Sequence, residues 1–256
     1  MHLQWVVLGL VLMLIASDHF VLWRAFIKES RVDATKARHT LWLRGALLMW
    51  AASGLVLWLW ITTGVPVSSV GFALPQGWRL WTPLSFGGAF IALQANSAIK
   101  LTRLAAPSEK LRAQLSSVAL ISPRTASELP AFIGVSLTAG FCEEVLFRGF
   151  LIWVLQPVVG LWIAVALAAL LFGAAHAYQG VAGVIRTGLF GLFFTAIMLL
   201  TRSLWPAIVL HASVDAMGGV IAWLVLRDPA PKSAAVAVSS LWEPQGDVTA
   251  CAVADE

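Results

Sequence analysis

Long apolar runs recur along the chain, at 3–23, 41–63, 82–101, 129–153, 158–177, 183–200 and 205–226, separated by short polar or basic segments. Most approach the roughly 20 residues that a helix needs to cross a hydrocarbon core, and none shows the alternation of a barrel strand. The pattern predicts an all-α fold, a polytopic membrane helical bundle of about seven transmembrane helices. The run at 82–101 is the least apolar, because "FGGAFIALQANSAIKL" carries Gln94 and Asn96, and it reads as a packed interior helix or a shorter segment. Tryptophans stand at many run ends, Trp5, Trp23, Trp42, Trp60, Trp78, Trp81, Trp205 and Trp223 among them, as an interfacial aromatic belt would place them.

Composition sharpens this. With 59% hydrophobic and only 12% charged residues and a mean hydropathy of +0.85, a water-soluble globule of this length is excluded. A net charge of +4 could suggest nucleic acid, but its distribution does not. The cations gather in two segments, Arg24, Lys28, Arg31, Lys36, Arg38 and Arg44, then Lys100, Arg103, Lys110, Arg112 and Arg124. Positive-inside makes both loops cytoplasmic, with the N-terminus outside and the tail inside. No nucleic-acid partner is expected; the lipid bilayer is. The first run lacks a basic n-region and an A-x-A site, so it reads as a retained helix and not as a signal peptide. The expected location is integral and multi-pass, in a bacterial inner (cytoplasmic) membrane. The chain divides into N-terminal transmembrane helices with basic loops (1–128), a second helical membrane core (129–226), and a polar, Pro- and Ala-rich tail (227–256) expected to be disordered. Cys142 lies in an apolar run and Cys251 in the tail, a pattern that suggests no disulfide framework, and Cys142 is read as a packing residue.

Ionisable side chains inside such runs cost about 2.5–3.5 kcal/mol each on insertion scales and usually mark function. They fall at Glu143, Glu144 and Arg148 in "FCEEVLFRGF", at His176, at Arg186, and at His211 and Asp215 in "HASVD". Glu144 and Arg148 are spaced i, i+4 with the acid first, the favourable order for a pair on one helix. Glu143 lies about 100° around an α-helix from Glu144, pointing elsewhere and without that partner. Phe172 stands one turn before His176 on the same face, and His211 one turn before Asp215. A carboxylate and imidazoles converging on one spot can hold a water and take its proton. The same Glu143, His176 and His211 could instead ligate zinc, though no HExxH is present. Arg186 reads as a snorkelling side chain. Spans of simple geometry would hold His176 and His211 apart, so convergence requires the turn "AYQGVAG" (177–183) to lie within the protein, or a short sixth helix.

"EEVLFR", "FGAAH" and "HASVD" resemble, in order, the EExxxR, FxxxH and Hxxx(N/D) motifs of the CAAX protease and bacteriocin-processing (CPBP, or Abi) family of intramembrane endopeptidases; "FRGFL" and "TRSLWPAIVLHA" resemble the family's surrounding text. The resemblance covers about 129–220. It implies a catalytic core in the last four helices and a protease cutting a membrane-associated protein or peptide, by C-terminal or leader processing, with no cofactor unless the zinc variant holds. It implies Glu143 and His176 as the water-activating pair. His211 and Asp215 would position the carbonyl or stabilise the oxyanion, and Glu144 with Arg148 would support the site beside Phe172. Prenyl-processing members often have Asn where this chain has Asp215. An ionised Asp cannot donate to an oxyanion, so Asp215 is expected to orient His211. The alternative from another class is a non-enzymatic carrier, immunity or chaperone-like protein in which the buried charges act as relay or glue.

Overall fold

The computed structural model describes residues 3–17, 21–66, 68–103 and 107–227, so the tail from 228 onward, with Cys251, lies outside the described residues. Within them the chain forms α1 (Leu3–Ser17), α2 (Trp23–Ser30), α3 (Ala34–Thr63), α4 (Trp78–Thr102), α5 (Glu109–Gln114), α6 (Leu129–Glu143), α7 (Ile152–Val159), α8 (Leu161–Ala175), α9 (Gly180–Thr201) and α10 (Trp205–Leu226). Between α6 and α7 the helix continues without a break as a π-helical stretch, Glu144–Leu151. A helical membrane bundle is what the apolar runs predict. The count of seven is not established: among the described residues four helical stretches are long and apolar enough to cross a membrane, Ala34–Thr63, Leu129–Val159, Ala177–Thr201 and Trp205–Leu226. Leu3–Ser17 and Leu161–Ala175 are shorter apolar helices.

Local chemistry sets the boundaries. The Asp33 side chain accepts from the Lys36 amide at 2.9 Å and starts α3, and Gly64, at φ +68°, ends it in the left-handed region. Proline in the first turn opens both α6 and α10, where its missing N–H costs nothing. The core is built around the π stretch, all eight residues of which are buried. Val145, Phe147 and Phe150 pack with Val7 and Val11 of α1, Val56 and Trp60 of α3, and Ala168 and Phe172 of α8.

A buried polar knot ties one end of the bundle. Arg38, on α3, donates through Nε and Nη2 to Glu128 Oε1 at 2.9 and 2.7 Å. Glu128 Oε2 accepts the backbone N–H groups of Arg124 and Thr125, at 2.6 and 3.0 Å. Arg124 in turn donates through Nη1 to the carbonyl of Leu226 at 2.8 Å, satisfying the C-terminal end of α10. Burial alone would push the Glu128 carboxyl up, but the Arg124 amide and the Arg38 guanidinium outweigh it and hold it below the usual carboxylate range. A depressed folded-state value contributes stability above the unfolded value of about 4.3 and loses it as pH falls through the folded one. Thermal stability in detergent is therefore expected to fall below about pH 4, with a smaller acid dependence in Glu128→Gln; an acid dependence unchanged in that variant would contradict the assignment.

The same knot fixes the depth of α10. Its C-terminus is held beside the start of α6, and at 1.5 Å per residue its 22 residues extend about 33 Å, well short of the about 46 Å of the 31-residue α6–α7 rod. The N-terminus of α10 is consequently recessed inside the protein. Ser203 and Leu204 are fully buried, and the Leu204 amide donates to Gly71 O at 2.7 Å. Gly71 has φ +94°, and a Cβ there would stand 2.8 Å from Leu204 Cγ, so glycine serves both the turn and the contact. Trp205 Nε1 donates to Phe72 O at 3.2 Å, closing this cap.

Candidate active site

Three depths coincide. Glu143 and Glu144 lie 14 and 15 residues from the start of α6, and His211 lies 15 residues from the anchored end of α10, each about 21–23 Å along its helix from the knot. His176 closes α8, 15 residues from that helix's other end. The expectation that the 177–183 turn must be internal is corrected here: Ala177, Gly180, Val181 and Ala182 are exposed, and the sixth long run is a full helix of 22 residues. The recessed α10 does what that turn was expected to do.

Close helix contact completes the approach. A Cβ on Gly140 would stand 2.7 Å from the backbone nitrogen of Ala212, so α6 and α10 meet backbone to backbone one turn before Glu144 and beside His211. A Cβ on Gly173 would stand 2.7 Å from the Val184 carbonyl, which draws α8 and α9 together in the same way.

Glu144 Oε1 accepts from Arg148 Nη1 at 2.9 Å and bonds His211 Nδ1 at 2.8 Å. Glu143 does not point away from this group, contrary to the α-helical expectation. Its Oε2 is 3.7 Å from His211 Nε2, so the two glutamates hold opposite edges of one imidazole. The backbone at both glutamates is ordinary right-handed helix, φ −69° at Glu143 and −65° at Glu144, so it is the length of the two side chains that brings both to the one ring. Asp215 Oδ2 is 3.5 Å from the same Nε2. Glu144 therefore holds Nδ1, the position from which an orienting acid fixes the tautomer, while Asp215 faces the other nitrogen.

Aromatic rings enclose the charges. The Arg148 guanidinium lies 4.1 Å from the ring centre of Phe172 and 5.6 Å from that of Phe194. Phe194 stacks on His211 at 4.8 Å and 14°, and Phe172 touches both imidazoles, 5.0 Å from His176 and 6.0 Å from His211. Glu144 Oε2 and Arg148 Nη2 are buried without a hydrogen-bond partner among the described residues. His176 Nδ1 is 2.8 Å from the Phe172 carbonyl. A carbonyl only accepts, so Nδ1 carries the proton and Nε2 of the neutral ring is left as an acceptor.

Glu143, His176 and Asp215 open into one cavity of about 240 Å³, walled mainly by apolar side chains of α1, α2, α3 and α6. His211 stands behind it, 5% exposed. Arg186 is exposed and donates to Gln179 Oε1 at 3.0 Å, away from this group. Cys142 is fully buried and packs. Glu143, His176 and His211 do not assemble as a metal site: among the described residues no group of three His, Cys, Asp or Glu is arranged to hold an ion. Two participants had no signal in the sequence. Tyr178 lines the cavity with its ring 5.9 Å from that of His176, and Phe194, lying in an ordinary apolar run, was indistinguishable from lipid-facing neighbours.

A helical membrane bundle with a buried acid–imidazole cluster opening into an apolar cavity defines an integral membrane protein with the parts of a hydrolase. Residues 125–217 match the model of the type II CAAX prenyl endopeptidase Rce1-like family, so this stretch is similar to the CPBP family of CAAX protease-like membrane proteins. The matched stretch runs from the Arg124–Glu128 knot to just past Asp215 and holds every residue of the cluster. No curated protein and no solved structure matches the chain.

Proposed function

We propose that the protein is an intramembrane endopeptidase that hydrolyses a peptide bond with a water activated by Glu143 and His176. The observation that carries this reading is that Glu143 and His176 open into one cavity, with His211 held at its back between two glutamates. A water there has the Glu143 carboxylate and His176 Nε2 as acceptors. In the attack, the water oxygen bonds the substrate carbonyl carbon and a water proton passes to Glu143. His211, protonated on Nε2, donates to the developing oxyanion, and Glu144 on Nδ1 balances the imidazolium. The carboxylates nearest Nε2 are beyond the usual hydrogen-bond range of about 2.7–3.2 Å, which leaves its proton available. Collapse breaks the C–N bond, and the proton held by Glu143 goes to the leaving nitrogen. Glu144 on Nδ1, where Asp215 was expected to act, orients His211, and Asp215, 3.5 Å from Nε2, makes no bond to the oxyanion, since an ionised carboxylate has no donor.

The test uses purified wild type, Glu143→Ala and His176→Ala in liposomes against a membrane-peptide library, with and without a zinc chelator. Wild type is expected to cleave in both conditions and both variants to fail. Loss on chelation with rescue by zinc would replace the metal-free mechanism by a zinc-dependent one. Absence of cleavage by folded wild type would instead favour the carrier, immunity or chaperone-like role.

A further inference from the structure

A second cavity, an open groove of about 660 Å³ between α4, α9 and α10, shares no lining residue with the one at Glu143. Its wall is made by Phe86 and Phe90 of α4, Phe190 and Phe193 of α9, and Leu210 and Val214 of α10. Among the described lining residues one is charged, Arg186, and none is acidic. At 1.5 Å per residue the α9 wall from Ala182 to Phe193 spans about 16 Å. That is the hydrocarbon depth of one leaflet, half of a core of about 30 Å. Arg186 lies at the end of this wall nearer the start of α9, and its guanidinium reaches back to Gln179 Oε1 at 3.0 Å. The turn holding Gln179 touches the 116–118 stretch, beside Ala119, whose carbonyl accepts from Arg124 Nη2 at 2.9 Å. The cation of the groove therefore faces the end of the bundle where Arg38 and Arg124 form the polar knot. Water finds no partner along the phenylalanines, whereas an acyl chain fits both their chemistry and their length. A guanidinium offers five donors in a fork that matches phosphate, and the bond to Gln179 uses one of them.

We propose that this groove binds one anionic phospholipid, with an acyl chain along the phenylalanines and the phosphate on Arg186. The phosphate of a zwitterionic lipid is already balanced by its own ammonium, so it gains less from the same contact. The site does not depend on the peptidase reading, but it backs the same cluster: Phe193 lies 5.6 Å from Phe194, the ring stacked on His211 at 4.8 Å.

The experiment titrates the full chain, purified in neutral detergent, with dioleoyl phosphatidylglycerol or dioleoyl phosphatidylcholine, with and without excess inorganic phosphate, and reads bound lipid by native mass spectrometry. Wild type is expected to bind one phosphatidylglycerol about fivefold more tightly than phosphatidylcholine, the factor that one cation beside an anionic headgroup supplies, and to keep it in phosphate. Arg186→Gln is expected to abolish the preference. Arg103→Gln, which removes another exposed cation at the same end of the bundle, is expected to retain it. Ala182→Phe, which fills the groove beside Arg186 and leaves the charge in place, is expected to lose the bound lipid. Equal binding of the two lipids by wild type, or a preference that survives Arg186→Gln, overturns the proposal. So does an equal loss in Arg103→Gln, which would reduce the effect to general surface charge. Displacement by phosphate would make this a site for a free anion, and lipid retained by Ala182→Phe would place it elsewhere on the surface; either result also overturns the proposal.

Discussion

Glu143→Gln is expected to lower peptide cleavage by about 10²- to 10⁴-fold, the range that a positioned general base supplies. The amide has nearly the volume of the carboxylate, so the packing of α6 against α10 at Gly140 is undisturbed, but it cannot take the water proton. Glu143 is also the member of the cluster whose replacement leaves the buried ion pair whole, because Arg148 is bonded to Glu144. Thermal unfolding in detergent should therefore change little while kcat collapses. Turnover within a few-fold of wild type would remove Glu143 from the mechanism, and an unfolded variant would show that the carboxylate holds the bundle together instead.

Glu144→Ala acts the other way. Glu144 is fully buried and Arg148 is 3% exposed, and the remaining neighbours of the guanidinium include the faces of Phe172 and Phe194. Removing one partner of a buried pair leaves an uncompensated charge, at a cost of about 3–5 kcal/mol. His211 also loses the carboxylate that holds Nδ1 and balances its positive charge, and with it the orientation of Nε2. Both unfolding temperature and activity are expected to fall, and Glu144→Gln, which keeps an acceptor oxygen but not the charge, should restore part of the stability and little of the activity. Equal stability of Glu144→Ala and wild type, by denaturation in detergent, would contradict the account of this pair.

Much of this architecture was legible because membrane helices obey a length rule. The apolar runs gave the helical bundle, and ionisable residues out of place in them gave the cluster, since lipid makes each such residue conspicuous. The spacing of Glu144 and Arg148 gave their pairing for the same reason that it works in any helix. Relative depth was not legible. Runs of similar length suggest helices of equal extent, whereas the bond from Arg124 to the Leu226 carbonyl anchors α10 at one end and recesses the other beneath Gly71. Nothing in the run 205–226 records an anchor 102 residues away. The direction of Glu143 was missed because a step of about 100° fixes only where a side chain leaves the helix, and a glutamate is long enough to turn back toward a ring packed beside both positions. Tyr178 and Phe194 were missed because aromatic residues near membrane-helix ends and in apolar runs are ordinary there.

The most direct test of the central claim, that Glu143-activated water attacks the carbonyl without a covalent intermediate, is product analysis of a cleaved library peptide in the presence of hydroxylamine. Direct attack by water predicts a free carboxylate as the new C-terminus at every hydroxylamine concentration, with ¹⁸O from labelled water incorporated and no hydroxamate formed. Hydroxamate rising with hydroxylamine, at the same cleaved bond and absent from unreacted peptide, would mean that an enzyme side chain is acylated first, and would contradict the assignment of Glu143 as the base that delivers water.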